Sequence, residues 1–180
     1  MQHDDKLLIT RMQQGDRTAM QVVYDRYKDD LLTVARCLLG DHWTAEDCLH
    51  DVFVGFVAGL RQLKPNGSLK GYLVACVSNR ARDHLRRQVR QVPMADSAEH
   101  LPAQAPGPVT QLVAKEQVHA VQTALGRLPY EQREIITLRL HGDLTFREIA
   151  LSQGVSLNTV QARYRYALER LARLLSGEQP

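Results

Sequence analysis

The run LTFREIALSQGVSLNTVQARYRYALERL, Leu144–Leu171, decides how this chain is read. Thr145 and Glu148 stand three apart, the spacing at which a hydroxyl caps a helix start and a carboxylate returns the bond. Ile149 and Ala150 continue that short helix. Gly154, four residues past Ala150, supplies the positive φ of a tight turn, and Ser156 opens a second helix. Ala150 leaves room for a crossing helix, and Val160 packs back on the first. The pattern is a helix-turn-helix. A plain helical hairpin in a core has the same periodicity, so the motif alone leaves two readings open.

If the motif reads DNA, its second helix enters the major groove by its first turns. With Val160 facing inward, Asn158, Ala162 and Arg165 point outward, and Thr159 and Gln161 flank them. Asn and Gln can pair bidentately with adenine and Arg with guanine, while the methyls of Ala and Thr can touch thymine. Ser156 and the free amides of the helix start suit a phosphate. Tyr166 reads either as a boundary residue or as a base contact. Residues 161–173 carry four arginines (Arg163, Arg165, Arg170, Arg173) against one acid, Glu169.

Upstream the helical period recurs. In LPYEQREIITLRL, Leu128–Leu140, Pro129 suits a first helical turn. Val118, Val121, Leu125 and Leu128 mark an amphipathic helix before it. On the last helix Val160, Tyr164, Ala167, Leu168, Leu171 and Leu175 are expected inward. Residues 91–112, QVPMADSAEHLPAQAPGPVTQL, break the pattern with four of the seven prolines and no Lys or Arg. Such a stretch cannot propagate a helix. It reads as a flexible linker between a domain at residues 1–90 and one at 113–180, two modules expected to act separately.

In the first domain Gly15 ends one helix and Asp16 caps a longer one, with Met20, Val23, Tyr24, Tyr27, Leu31, Ala35 and Leu38 on one face. Thr44-x-x-Asp47 is expected to cap a third helix, whose inner face is Leu49, Val52, Phe53, Phe56, Val57 and Leu60. After the turn Pro65-Asn66-Gly67, Ser68 is expected to cap a fourth, with Leu69, Leu73, Val77, Ala81 and Leu85 inward. No stretch alternates with period two, so the expected class is all-α: an N-terminal helical bundle and a C-terminal helix-turn-helix domain.

The outward stripes of this domain differ in character. Asp47, His50, Asp51, Val54 and Arg61 form an acid-then-apolar strip on the third helix, suited to docking a protein. Asn79, Arg82, Asp83, Arg86 and Arg90, with Arg87 adjacent, suit a nucleic-acid strand. A net charge of +3 is too small to imply a polyanion by itself. Two separate basic clusters do imply it, since residues 61–90 hold eight Lys or Arg against Asp83 alone. Glu46, Asp47, His50 and Asp51 also permit the reading of a metal-dependent phosphohydrolase. His3, His42 and His84 are spare ligands for it, but no second ligand motif accompanies them, and no metal or cofactor is expected. Three cysteines without a C-x-x-C pair suit a reduced, cytoplasmic chain. Neither a secretory leader nor an apolar run of about 18 residues is present, so no membrane insertion is expected.

AEDCLHDVFVGFVAGL (Ala45–Leu60), SLKGYLVACVSNRARDHLRRQ (Ser68–Gln88) and the two later runs, taken in this order, resemble the extracytoplasmic-function (ECF) subfamily of sigma-70 type RNA polymerase sigma factors. The resemblance implies a non-catalytic specificity subunit that carries polymerase to chosen promoters and helps open them. It places Asp47, His50, Asp51 and Val54 against the clamp of core RNA polymerase, with His50 where the family usually has Gln. It places Lys64, Asn66, Ser68, Lys70, Asn79, Arg82, Asp83, Arg86 and Arg87 on the melted strand of the minus-ten element. Ser156, Asn158, Thr159, Gln161, Ala162, Arg163, Arg165 and Tyr166 then face the minus-thirty-five element. The implied partners are core polymerase and promoter DNA, with an anti-sigma factor as regulator. The alternative is a stand-alone helix-turn-helix regulator, which would need a sensing or dimerisation domain in residues 1–90.

Overall fold

The structure, a computed structural model, describes residues 3–63, 68–91 and 120–176. Four helices make the first domain: α1 (His3–Gln13), α2 (Arg17–Leu39), α3 (His42–Gly59), which runs into a 3-10 turn at Leu60–Gln62, and α4 (Leu69–Gln91). The second domain holds α5 (residues 120–126), α6 (Tyr130–Leu140), α7 (Phe146–Gln153) and α8 (Leu157–Ser176). No strand occurs among the described residues, in keeping with the all-α expectation. Apart from Gln91, the proline-rich segment lies outside the described residues.

Helix α2 is the spine. Its first amides would be orphans, and the Asp16 carboxylate accepts from the N–H of Thr18 at 2.9 Å and of Ala19 at 3.2 Å. The hydroxyl of Thr18 and the guanidinium of Arg11 also donate to it, which holds its pKa down at about 2. The helix ends at Gly40, whose φ of 78° is open to glycine without strain. Ala19, Val23, Tyr27, Leu31, Val34, Ala35, Leu38 and Leu39 of α2 are all buried. Neighbours α1, α3 and α4 cover them. Tyr27 also donates its hydroxyl to the buried Asp5 of α1 at 2.8 Å, so that carboxylate is not left unpaired.

Two expectations for α3 are corrected. The helix starts at His42, and Asp41 caps it by accepting from the Thr44 amide at 2.7 Å. Thr44 is already inside the first turn, so it cannot be the cap. Val57 is 50% exposed rather than inward. The packed face is Leu49, Val52, Phe53, Phe56 and Leu60, and Val57 lies one helical step round from Phe56 on the flank shared with Val54.

The helix-turn-helix forms as read. Thr145 accepts from the Glu148 amide at 3.2 Å, and Glu148 accepts from the Thr145 amide at 2.8 Å. Gly154 takes φ 66° and Val155 donates to the Ala150 carbonyl at 3.1 Å, closing the turn. Ser156 accepts from the Thr159 amide at 3.0 Å and starts α8. Ile149 and Val160 are fully buried where α7 crosses α8, and the rings of Phe146 and Tyr164 meet edge-on at 5.1 Å. Leu168 and Leu175, expected inward, are exposed. The packed row is Val160, Tyr164, Ala167, Leu171 and Leu174: Val160 joins the cluster of Ile149 and Ala150, and the later members pack with Leu125, Leu128 and Ile136. Alternating steps of four and three follow one stripe, and Leu168 and Leu175 each lie one residue beyond it.

The two domains pack on each other. α6 lies against α2 and α4, and α7 against α4. Ile135, Leu138, Leu144, Ile149, Ala150 and Val160 belong to the same apolar cluster as the core of the first domain. At Gly142 the approach is so close that a Cβ would sit 2.7 Å from the Val74 Cγ1. Nothing local in the sequence announces this contact between the two domains. Removing the α7 cap by Thr145→Ala should cost about 1 kcal/mol of stability, read as a lower midpoint in urea with an unchanged slope.

Candidate nucleic-acid and protein interfaces

On α3 the strip read from the sequence is exposed along its length: Asp47, His50, Asp51 and Val54 all face solvent. Val57 joins it, and so does Trp43, which is 74% exposed at the start of the helix. Positions 43, 47, 50, 54 and 57 recur at spacings of three and four, which keeps them on one face. Sequence reading passed over Trp43 because it preceded the helix start expected there. It also missed Arg80 of α4, which pairs with Asp51 and donates to it from Nε at 3.0 Å. That carboxylate raises the pKa of Arg80. The pair ties α3 to α4 and fixes where the Asp51 charge points. Glu46, Asp47, His50 and Asp51 do not gather as one ligand set. Glu46 instead pairs with His42 at 3.2 Å, and Asp51 with Arg80.

The row on α4 is less open than expected. Asn79, Arg86 and Arg87 are exposed, but Arg82 and Asp83 are half-buried. Asp83 pairs with Arg86 one turn on. Arg82 donates from one nitrogen to Asn79 Oδ1 at 3.1 Å and from another to Glu134 Oε1 of α6 at 2.6 Å. Lys70 is also engaged, with Asp30 at 2.8 Å and Asp143 at 2.5 Å. Ser68 is exposed and takes the Gly71 amide at 3.3 Å, the capping role expected of it. Lys64 and Asn66 lie outside the described residues.

At the start of α8, Ser156, Asn158, Gln161, Arg165 and Tyr166 are exposed, while Thr159, Ala162 and Arg163 are half-buried. The hydroxyls of Ser156 and Thr159 bond each other at 2.8 Å, which uses part of the hydrogen-bonding capacity a phosphate would meet. Arg165 lies over the Tyr166 ring at 5.2 Å, a cation–π contact on the exposed face. Arg163, Arg165, Arg170 and Arg173 make no ion pair with another described residue. The basic face of α8 is thus available to an external anion, whereas part of the basic face of α4 is held by acids of the second domain.

All three cysteines lie in the first domain. Cys48 is buried and offers its thiol toward the Val77 carbonyl at 3.9 Å, and burial pushes it up to about 11. Burial also raises Cys37 and Cys76.

The comparisons agree with this two-part geometry. Residues 23–91 match the model for Sigma-70 region 2, and residues 119–171 that for Sigma-70, region 4. SigM, an ECF RNA polymerase sigma factor of Mycobacterium tuberculosis, is 30% identical over 97% of this chain and 86% of its own. A structure of CnrH in complex with the cytosolic domain of CnrY superposes with a TM-score of 0.72 at 21% identity, covering 98% of this chain and 99% of that one. The sigma factor RpoE of Bartonella quintana, solved with the anti-sigma factor NepR, superposes at 0.69 and 23% identity over 89% and 98%. The chain belongs to the ECF RNA polymerase sigma factors. It is an alternative sigma factor, directing transcription initiation. Both domains share in the likeness, which leaves no place for the sensing domain that a stand-alone regulator required.

The Asp51–Arg80 pair is exposed, and such pairs contribute little to folding. Arg80→Ala should shift stability by less than about 1 kcal/mol, measured by urea titration.

Proposed function

We propose that the strip Trp43, Asp47, His50, Asp51, Val54 and Val57 docks core RNA polymerase, while the α4 row holds the melted strand of the minus-ten element. In this reading Lys64, Asn66, Ser68 and Lys70 shape a pocket for an unpaired base. Asn79, Arg82, Asp83, Arg86 and Arg87 follow the backbone. The second domain holds the minus-thirty-five element as duplex, with Ser156 and Arg163 on phosphate and Asn158, Thr159, Gln161, Ala162, Arg165 and Tyr166 toward bases. The observation that carries the reading is the separation of charge by face. One helix of the first domain exposes acids beside apolar side chains, and the next exposes cations. An exposed Trp at the start of a face that also carries Val54 and Val57 has the composition of a protein contact.

The division into residues 1–90, a linker at 91–112 and residues 113–180 is part of the proposal, supported by the spans of the two family models. Opening then draws on binding energy, and the chain acts as a specificity subunit without chemistry of its own. Its relatives bear the names of sigma factors, and no described helix is long and apolar enough to cross a membrane, which supports a cytoplasmic site of action. An anti-sigma partner is proposed from the RpoE structure, which was solved with one.

Asp51→Arg and Trp43→Ala should each weaken capture of core polymerase at unchanged helical content. Wild-type capture by both would remove the docking strip. For the second domain, Gln161→Ala should cost about 1–3 kcal/mol on the preferred duplex, concentrated at one base position. Arg170→Ala should weaken all duplexes evenly and reduce the salt dependence. An even loss from Gln161→Ala would limit that side chain to the backbone.

A further inference from the structure

Every cation of α4 except Arg80 belongs to the row read as facing a nucleic-acid strand. Arg80 turns instead to α3. Its Nε donates to Asp51 Oδ2 at 3.0 Å, and its Nη2 donates to the same oxygen. Two donors from one planar, rigid guanidinium fix the orientation of the carboxylate they share. Oδ1 takes no hydrogen bond from any described residue, and the Asp51 side chain stays 44% exposed. One oxygen is held, and the other is left for an outside donor. Neighbouring charges are engaged elsewhere. Asp83, one turn on along α4, pairs with Arg86. Arg82 is occupied by Glu134 of α6, which also takes the Ser78 hydroxyl. Asp47, one turn before Asp51, makes no ion pair among the described residues. The strip on α3 thus carries one free acid and one braced acid.

An exposed pair contributes little to folding. What it changes is the state in which Asp51 meets a partner. An unbraced aspartate turns among its rotamers and must be immobilised on binding, whereas one already gripped has lost that freedom beforehand. Charge works the other way, since Arg80 neutralises the acid it holds and weakens its pull on a basic group. That pull is screened beyond about 8 Å at physiological ionic strength, while orientation acts at contact. Once two surfaces touch, orientation is the larger effect.

We propose that Arg80 is a positioning residue for polymerase docking, holding Asp51 so that Oδ1 receives a basic side chain of core RNA polymerase. The inference rests on the docking role proposed for the α3 strip. Arg80 acts through Asp51 and makes no contact with the polymerase itself.

The test passes the full chain over immobilised core RNA polymerase and reads association and dissociation rates. Arg80→Ala, Asp51→Ala and the double variant are compared with the parent, with circular dichroism to confirm parental helical content. Arg80→Ala is expected to weaken capture roughly fivefold, within the usual coupling of contacting residues, through faster dissociation. The double variant should bind no more weakly than Asp51→Ala alone. Arg80→Lys keeps the charge without the planar grip and should recover only part of the loss. Parental or tighter capture by Arg80→Ala overturns the proposal, because charge alone would then govern. A loss confined to association does the same. So does an equal loss from Arg80→Ala with and without Asp51, since Arg80 would then act by itself. Parental capture by Asp51→Ala overturns the docking reading beneath the proposal instead. Should Arg80→Ala unfold, Arg80→Lys alone and with Asp51→Ala carries the same rates, and parental capture by Arg80→Lys overturns the positioning role.

Discussion

Helix α2 buries side chains on adjoining faces, from Ala19 and Val23 through Leu31 to Val34, Ala35, Leu38 and Leu39, and no one neighbour can cover them all. That requirement arranges the rest. α1, α3 and α4 each cover part of the spine, and α6 of the second domain covers more. Because α3 and α4 must turn their apolar faces to α2, their polar faces are left on the outside, and it is there that acids and cations gather. The functional surfaces are the complement of the core. A change that rotated α3 by one residue would bury Asp51 and expose Phe53, so the core and the exposed strip share one register.

Helix α4 carries two arginines two residues apart with separate duties. Arg80 turns toward α3 and holds Asp51, while Arg82 turns toward the second domain and meets Glu134. Two steps along a helix rotate a side chain roughly 200°, which is why one short stretch can brace the exposed strip of α3 on one side and meet the second domain on the other. The strip proposed for docking and the row proposed for the strand are therefore joined through the backbone of a single turn.

Much of this was legible in the sequence because it is local. Gly40, Gly154, Ser156 and the pair Thr145–Glu148 act on the backbone within four residues, and each does in the fold what its position announces. Periodicity also found the cores, erring where a helix has flanks: Val57, Leu168 and Leu175 sit at the border of an apolar stripe, and only the neighbour's position decides their side. Asp41 and Thr44 compete for one helix start, and the earlier residue takes it. The strip on α3 was readable as a face, less Trp43. Glu134 was not readable. A glutamate in an amphipathic helix reads as a solvated position, and nothing near it in the chain points to Ser78, 56 residues earlier. Contacts between distant elements leave no period behind.

The sulfur chemistry of the first domain carries a consequence for how the protein receives its signals. Oxidants and electrophiles attack the thiolate, and Cys37, Cys48 and Cys76 are each held on the protonated side by their burial, Cys48 at about 11. At neutral pH these sulfurs are poor targets for peroxide or for mixed-disulfide exchange. Burial thus makes these cysteines slow partners for oxidants, and a redox stimulus finds less purchase on this domain than its three thiols suggest.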